Sequence, residues 1–362
     1  MAFTPQFSIS AVLSQSLMDI ESSRQAVSSL PITIQLLKSL RESARLSATH
    51  YSTQIEGNCL TQDQVKEVML GGTFPNRERD EEEVKNYFLA LNYVDSLVET
   101  SKTPIEEKQI QTIHGLVYKG QKKPSKYRDG QNVIKESSTG RIIYMPPEAT
   151  DVPGLMNQLL QWLEKQIKLG ELPIPIIAAI CHYQFATIHP YYDGNGRTAR
   201  LLTNLILHKS GYGLKGIYSL EEYYARDLQR YYEALRIGNS HNYYFGRAEA
   251  DISNWINYFC KGMADAFAKV RSKASEEALL NHTKRDQASL LRELDQRQKQ
   301  ILSLFKETRF VTTRDVAEKL GIHIRTSLNL CNTWVESGFI LTLGNANKSR
   351  KYELAKKWDV LL

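Results

Sequence analysis

Four residues able to handle a phosphate ester fall within a single stretch of the chain: His189, Asp193, Arg197 and Arg200, in His189-Pro190-Tyr191-Tyr192-Asp193-Gly194-Asn195-Gly196-Arg197-Thr198-Ala199-Arg200. A histidine with an ordinary pKa near 6.5 can take a proton from an attacking hydroxyl at neutral pH. Asp193 is a hard oxygen ligand suited to Mg²⁺ on a di- or triphosphate. Gly194 and Gly196 let the backbone approach a phosphate with no Cβ in the way. Arg197 and Arg200 stand three apart on a helix, so both guanidinium forks are expected to point at the same phosphates. Together these types and spacings suit transfer of a phosphate-containing group to a hydroxyl.

Such a loop needs firm walls. Upstream, Ile176 to Ile188 reads as an apolar helix, and downstream Leu201, Leu202, Leu205, Ile206 and Leu207 make a second, buried on most sides. A glycine-rich loop that ends where a helix begins is an anion site, because the first turn offers free N–H groups and the positive end of the helix dipole. Elsewhere the reading is mainly α. Val84, Phe88, Leu91 and Val98 repeat at helical spacing, and Leu155, Leu159, Trp162 and Gln166 do so less cleanly. Thr103-Pro104-Ile105-Glu106 predicts a helix from Thr103 to about Lys119, with a hydroxyl cap, a first-turn proline and a capping-box acid. The exception is a β-hairpin, in which Ser138-Thr139-Gly140 separates Asn132-Val133-Ile134-Lys135 from Arg141-Ile142-Ile143-Tyr144-Met145.

The segment from Lys269 to Asp295 is polar and free of aromatics, as a solvated helix or linker would be. A small C-terminal domain should follow. Gln298 to Phe305 reads as one helix; Thr312-Thr313-Arg314-Asp315 opens a second that stops at Leu320-Gly321; a third runs from about Ile324 to Ser337. Phe339 to Leu343 and Lys351 to Leu354 then flank Gly344-Asn345-Ala346-Asn347 as strand, turn and strand, which makes a winged helix. The expected domains are 1–100, a helical region; 101–268, the core carrying the loop; 269–293, a linker or connecting helix; and 294–362, the winged helix.

At 362 residues, 42% hydrophobic and 24% charged, the chain falls in the range of globular proteins with two or three domains. No apolar run reaches membrane-span length and the start lacks a signal-peptide pattern, so no membrane partner and a cytoplasmic location are expected. The four cysteines are far apart without metal spacing and read as reduced structural thiols. The formal charge of +6 does not by itself demand a nucleic acid.

The loop resembles the motif of the Fic family, His-Pro-Phe-x-Asp-Gly-Asn-Gly-Arg-x-x-Arg, at every named position except Tyr191, where the family usually has Phe. The resemblance extends from about Tyr51 to Asn239. It implies a Fic-type helical core in which His189 is the base, Asp193 holds Mg²⁺, and Gly194, Asn195, Gly196, Arg197 and Arg200 bind ATP. It further implies nucleotide contacts from Tyr231, Tyr232 and Asn239, and a flap at Val133, Ile134 and Lys135 that docks a segment of a protein target as an added strand. Because Gly196 stands where the phosphate-transferring Doc branch carries lysine, the resemblance favours nucleotidyl transfer: AMP moved from ATP to a target hydroxyl. Ser52-Thr53-Gln54-Ile55-Glu56-Gly57-Asn58 is similar to the family's inhibitory pattern, which implies an inhibitory helix near 40–57 whose Glu56 pairs bidentately with Arg200 and displaces the γ-phosphate.

Three other readings stay open: removal of AMP by the same site, a nucleotide-sensing DNA-binding regulator, and transfer of a different phosphate-containing group. Family members often dimerise, so a homodimer is also open. From Leu291 to the end the chain has thirteen Lys and Arg against eight Asp and Glu. Weak DNA binding through Arg325, Lys348, Arg350 and Lys351 is therefore weighed against protein recognition.

Overall fold

Largely apolar sequence makes the central helix, with His182, Gln184 and Thr187 its polar exceptions. In a computed structural model that describes residues 3–100, 103–135, 140–237, 241–343 and 350–362, with the side chains of 278–286, 288 and 360 left undescribed, Ile174–Ile188 is helical and buried on nearly all sides. The helices and strands in chain order are α1 (Ala11–Ser29), α2 (Ile34–Ile55), α3 (Gln62–Met69), α4 (Glu78–Thr100), α5 (Glu107–Lys119), β1 (Ile134–Lys135), β2 (Ile142–Tyr144), α6 (Val152–Leu169), α7 (Ile174–Ile188), α8 (Asn195–Lys209), α9 (Glu221–Arg226), α10 (Leu228–Leu235), α11 (Ser253–Glu293), α12 (Gln296–Glu307), β3 (Val311–Thr312), α13 (Thr313–Leu320), α14 (Ile324–Glu336), β4 (Ile340–Leu343) and β5 (Lys351–Leu354).

Caps place the helix that matters most for the site. Thr33 accepts the Leu36 N–H (3.2 Å) and starts α2; Glu56 ends it, and Gly57 turns away at φ 96°, a value that strains any residue with a Cβ. Beside it, α7 and α8 pack together, with α6, α1 and the first half of α11 closing the core around Phe185, Leu202, Met156, Ile20 and Trp255. The Trp255 indole N–H donates to the Ala179 carbonyl at 2.7 Å, so this bulky ring enters the core without an orphaned donor. A second layer, α4 and α5 against α8, buries Tyr87, Leu91, Val94, Ile113 and Leu205. Each fully buried side chain of this size stabilises by about 1.5–3 kcal/mol, and together they hold α8 rigidly.

The structure corrects the start of α5. Glu106 rather than Thr103 is the N-cap: its backbone N–H donates to Gln109 Oε1 at 3.1 Å, so the proline lies before the helix rather than in its first turn. In α4 the inward stripe is Val84, Tyr87, Leu91, Val94 and Leu97, with Phe88 and Val98 half-buried at its margin. The hairpin is shorter than its sequence pattern, pairing Ile134 with Tyr144 and Lys135 with Ile142 in antiparallel fashion. Its turn residues 136–139 lie outside the described residues.

The chain divides into two compact units, 1–275 and 276–362. The polar segment after Lys269 is helical and continuous with α11 as far as Glu293, so the division falls inside a helix rather than in a loop. The second unit has its own core of Ile301, Phe305, Val316, Cys331, Trp334, Phe339, Tyr352 and Trp358. The Thr312–Asp315 capping box starts α13. The hairpin β4–β5 is joined by the short β3, giving the antiparallel order β3-β5-β4; the third strand has no alternation long enough to be seen in the sequence. Of the cations considered for DNA, Arg325 and Lys351 are exposed, Arg350 donates to Asn332 (3.4 Å), and Lys348 lies outside the described residues. Among the described residues no helix is long and apolar enough to cross a membrane.

Candidate active site

The loop between α7 and α8 is closed by its own side chains. Asn195 accepts the Tyr191 N–H (3.0 Å) and donates to the Tyr191 carbonyl (2.8 Å), tying the two ends of the turn together. Tyr191 is buried and stacks on His114, ring centroids 3.5 Å apart and planes within 7°, while His114 Nε2 lies 2.9 Å from the Asp193 carbonyl. Tyr191 therefore anchors the loop in the core. The Asn195 side chain is committed to the loop, so only its backbone N–H can meet an anion. Gly194 sits at φ 75° as the cap of α8, and the first intrahelical bond, Thr198 N–H to the Gly194 carbonyl, begins at Thr198. The N–H groups of Asn195, Gly196 and Arg197 thus form the open end of the helix.

His189 ends α7 in the left-handed region, φ 51° and ψ 59°, a conformation that costs a non-glycine residue about 1 kcal/mol or more. What holds it there is Arg128, a residue the motif did not reveal. Its Nε donates to the His189 carbonyl (3.0 Å), Nη1 to the Gly130 carbonyl (3.0 Å) and Nη2 to the Pro147 carbonyl, while its backbone N–H donates to the Pro190 carbonyl (3.0 Å). Arg128 is buried and bridges the loop to both roots of the hairpin. Nothing periodic marks it in the sequence; the one signal is a cation beside the turn Asp129-Gly130. The His189 ring is half-buried, and burial, with Arg128 adding to it, pushes its pKa down to about 4, so it is neutral at pH 7. Its Nδ1 lies 3.4 Å from the Ala186 carbonyl, which favours the proton on Nδ1 and leaves the Nε2 lone pair to act as base.

A cavity of about 830 Å³ opens in front of this loop, lined by His189, Gly196 and Arg200, by the hairpin, and by Tyr231 and Tyr232. Val133, Ile134 and Lys135 all reach it, and Tyr144 pins the hairpin by donating to the Thr187 carbonyl at 2.8 Å. Tyr231 is buried in its wall, its hydroxyl 3.0 Å from His182 Nε2. Tyr232 is half-exposed and donates to the Ile55 carbonyl (3.1 Å), so it braces the end of α2. Asn239 lies outside the described residues.

The two motif arginines do not converge. Arg197 turns toward Asp193 (3.5 Å) and Glu83 (3.9 Å), whereas Arg200 turns toward α2. Three residues along a helix leaves the two positions only about 60° apart around its axis, so the separation comes from the acids, Asp193 and Glu83 drawing Arg197 and Glu56 drawing Arg200. Arg200 Nε donates to Ser52 Oγ (2.8 Å), and Nη2 to the Ser52 carbonyl (2.8 Å) and to Glu56 Oε1 (2.9 Å). The ion pair is thus monodentate, because Ser52 occupies the face of the fork that a bidentate carboxylate would need. Arg200 is only 1% exposed at its side chain and Glu56 26%. Although burial opposes the charge, Glu56, Tyr231 and Tyr87 hold the Arg200 pKa above its ordinary value.

The Glu56 carboxylate lies directly over the open end of α8. A Cβ on Gly196 would stand 2.2 Å from Glu56 Oε1 and 3.3 Å from Arg200 Nη1. Arg200 Nη1 is a buried donor without a partner among the described residues, placed beside the anion site. An orphaned donor, three free N–H groups and a glycine with no room for a side chain fit a phosphate chain. Asp193 has one oxygen on the Gly194 N–H (2.6 Å) and is 56% exposed at its side chain, while no group of three metal-binding side chains occurs among the described residues. That donor set fits a Mg²⁺ ion held by one carboxylate together with phosphate oxygens and water.

Comparison with known proteins agrees with this geometry. The Fic/DOC family profile matches residues 104–207. The protein adenylyltransferase Fic of Aedes aegypti is 28% identical over 225 residues, 61% of this chain and 42% of the relative. That of Drosophila persimilis is 30% identical over 202 residues, 54% and 38% respectively. The chain therefore spans about two fifths of the length of these curated relatives. Among solved structures, a Fic family protein from Desulfovibrio desulfuricans G20 aligns with a TM-score of 0.61 at 22% identity, covering 98% of this chain and 99% of that one. A Fic-domain signalling protein from Bacteroides thetaiotaomicron gives 0.61 at 24%, covering 73% and 96%. These two likenesses speak for the fold. With the motif loop closed as described and the profile spanning it, residues 104–207 of the chain are similar to the Fic/DOC family over the region that carries the motif.

Proposed function

We propose that the protein is an adenylyltransferase that moves AMP from ATP to a hydroxyl of a protein target and is restrained by its own Glu56. The observation that carries this reading is the Glu56 carboxylate over Gly196, paired with Arg200, at the helix end where a triphosphate would lie. The names of the Aedes and Drosophila relatives support the activity.

In the reaction, the target hydroxyl oxygen attacks the α-phosphorus in line as the bond to the bridging α–β oxygen breaks, and pyrophosphate leaves. His189 Nε2 takes the hydroxyl proton. The N–H groups of Asn195, Gly196 and Arg197 hold the developing charge at the phosphates. A Mg²⁺ ion bound through Asp193 would supply further neutralisation of the α- and β-phosphates. The hairpin presents the target: β1 pairs with β2 alone among the described strands, so its outer edge offers backbone groups to an added segment. With Glu56 in place, Arg200 cannot take the γ-phosphate and the nucleotide is turned from this alignment.

Intact mass spectrometry after incubation with ATP and Mg²⁺ tests the reading. Glu56→Gly should gain AMP units, on itself or on an added target, at least roughly tenfold faster than the unmodified chain, the equivalent of about 1.4 kcal/mol. Adding Arg200→Ala should return the rate to a low level. A flat or lower rate in Glu56→Gly would favour removal of AMP, in which Glu56 would instead position a water.

A further inference from the structure

A second cavity, of about 600 Å³, lies along the same two helices that meet at the Glu56–Arg200 contact. It is reached from α2 by Arg41 and Arg45, and from α8 by Asn204 and His208. On α2, positions 41, 45, 48, 52 and 55 follow one another at four- and three-residue spacing, so the cavity face and the Ser52 face are one stripe. Arg45 stands about 10 Å before Ser52 along the helix, and Asn204 about 6 Å after Arg200 on α8.

The cavity is lined with cations. Arg24 is paired with Glu21, Arg45 is paired with Asp95, and Glu99 also lines the site. Arg41 and Lys215 form no ion pair within 4 Å among the described residues, although Arg41 acts at longer range on Asp95. Arg41 donates its Nε to the Lys215 carbonyl (2.6 Å), and its two Nη groups have no hydrogen-bond partner among the described residues. The segment that supplies Lys215 is strained: Leu214, Lys215 and Gly216 have φ of 41°, 56° and 77° in succession. Two non-glycine residues in the left-handed region cost about 1–3 kcal/mol each, and here they present the Lys215 carbonyl to Arg41 while the Lys215 ammonium donates to the Val27 carbonyl at 3.3 Å. The half-buried His208 ring makes no hydrogen bond to a described residue and packs on Tyr218 (5.6 Å between ring centroids). Cations held in a concave site against strain, with donors to spare, are what an anionic ligand requires.

We propose that this cavity binds a small polyanion, a phosphate- or carboxylate-bearing metabolite, and that its binding loosens the Glu56–Arg200 contact. The second half rests on the reading of Glu56 given above. The pair is a single hydrogen-bonded contact of 2.9 Å, so a displacement of α2 away from α8 lengthens it and frees Arg200, and transfer rises.

Calorimetric titration of the full chain with citrate and with fructose 1,6-bisphosphate reads the site directly and separates carboxylate from phosphate chemistry. Saturable binding of at least one probe is expected, weakened about tenfold or more in the double variant Arg41→Ser, Lys215→Ser and by a smaller factor in Arg41→Gln alone. Both variants change exposed residues, and an unchanged melting temperature verifies their folding. Absence of saturable binding at millimolar probe, or binding indifferent to these substitutions, overturns the site. The same probe should raise the AMP-transfer rate of the unmodified chain at least roughly threefold and leave Glu56→Gly unaffected, since that variant has no carboxylate to move. Binding without a rate change overturns the coupling. If no variant transfers AMP at all, the proposed activity fails while the calorimetry still reports the cavity.

Discussion

The two ends of the candidate catalytic cavity are held in opposite ways. At the His189 end the chain is fixed by backbone: a left-handed residue whose carbonyl, with those of Gly130, Pro147 and Pro190, is gathered by the buried Arg128. At the Arg200 end a charged side chain is fixed by two side chains of a distant helix, Ser52 and Glu56. A clamp on the backbone with one arrangement gives a rigid His189. A single ion pair to a helix end whose acid is about a quarter exposed can be exchanged for a ligand. On the function proposed here, the difference teaches that chemistry and restraint are built from separable parts of one cavity, and each part can be broken without the other.

The largest effect is expected at the rigid end. In a Glu56→Gly background, His189→Ala should lower transfer of labelled AMP by about 10²–10⁴-fold while the dissociation constant for ATP moves little, because the base acts on the transition state alone. An undiminished rate would remove His189 from the chemistry. Next is the clamp. Arg128→Lys replaces a three-way fork with one nitrogen that cannot satisfy three carbonyls at once, leaving buried acceptors unpaired at about 1–3 kcal/mol each. In the same background kcat should fall about 10–100-fold with the KM for ATP nearly unchanged, and the melting temperature should drop by several degrees. Equal losses in kcat and ATP affinity would make Arg128 a general support of the fold rather than a support of the base.

At the exchangeable end the effects are smaller and of opposite sign. Ser52→Ala removes the acceptor at Arg200 Nε and loosens α2 without deleting the carboxylate, so transfer should rise about threefold, less than in Glu56→Gly. A rise as large as that of Glu56→Gly would make Ser52 an equal partner in restraint. The smallest effect is in pH dependence. Because burial sets the folded pKa of His189 at about 4, below the ordinary 6.5, its neutral form persists as pH falls until about 4. The acid limb of kcat/KM in Glu56→Gly should therefore lie near pH 4, and a limb near 6.5 would show that the imidazole is better solvated than its half-buried position indicates.

The C-terminal unit illustrates how far local signals reach. Its helices and the β4–β5 hairpin were legible because caps, glycine stops and alternation are short-range, as with the Thr312–Asp315 box and Gly321. β3 was not, since a two-residue strand gains its identity only from pairing with Tyr352 and Lys351. The Thr103 start signal misled for the related reason that a second capping pair, Glu106 with Gln109, lay three residues on and prevailed.

For the site, the sequence by itself determined which residues one loop brings together. His189, Asp193, Gly194 and Gly196 lie within a few residues, and the apolar runs on either side dictate a helix, a turn and a helix whose first N–H groups stand open. Only the tertiary structure decided what that loop faces. It spent the Asn195 side chain on closing the turn, sent Arg197 toward Asp193 and Glu83 and Arg200 toward Glu56, recruited Arg128 to hold His189, and laid Glu56 over Gly196. The reason is physical: helix and turn preferences act over a few residues, whereas the direction of a long charged side chain is set by whichever partner the packed core brings within about 3 Å, however far away that partner lies in the chain.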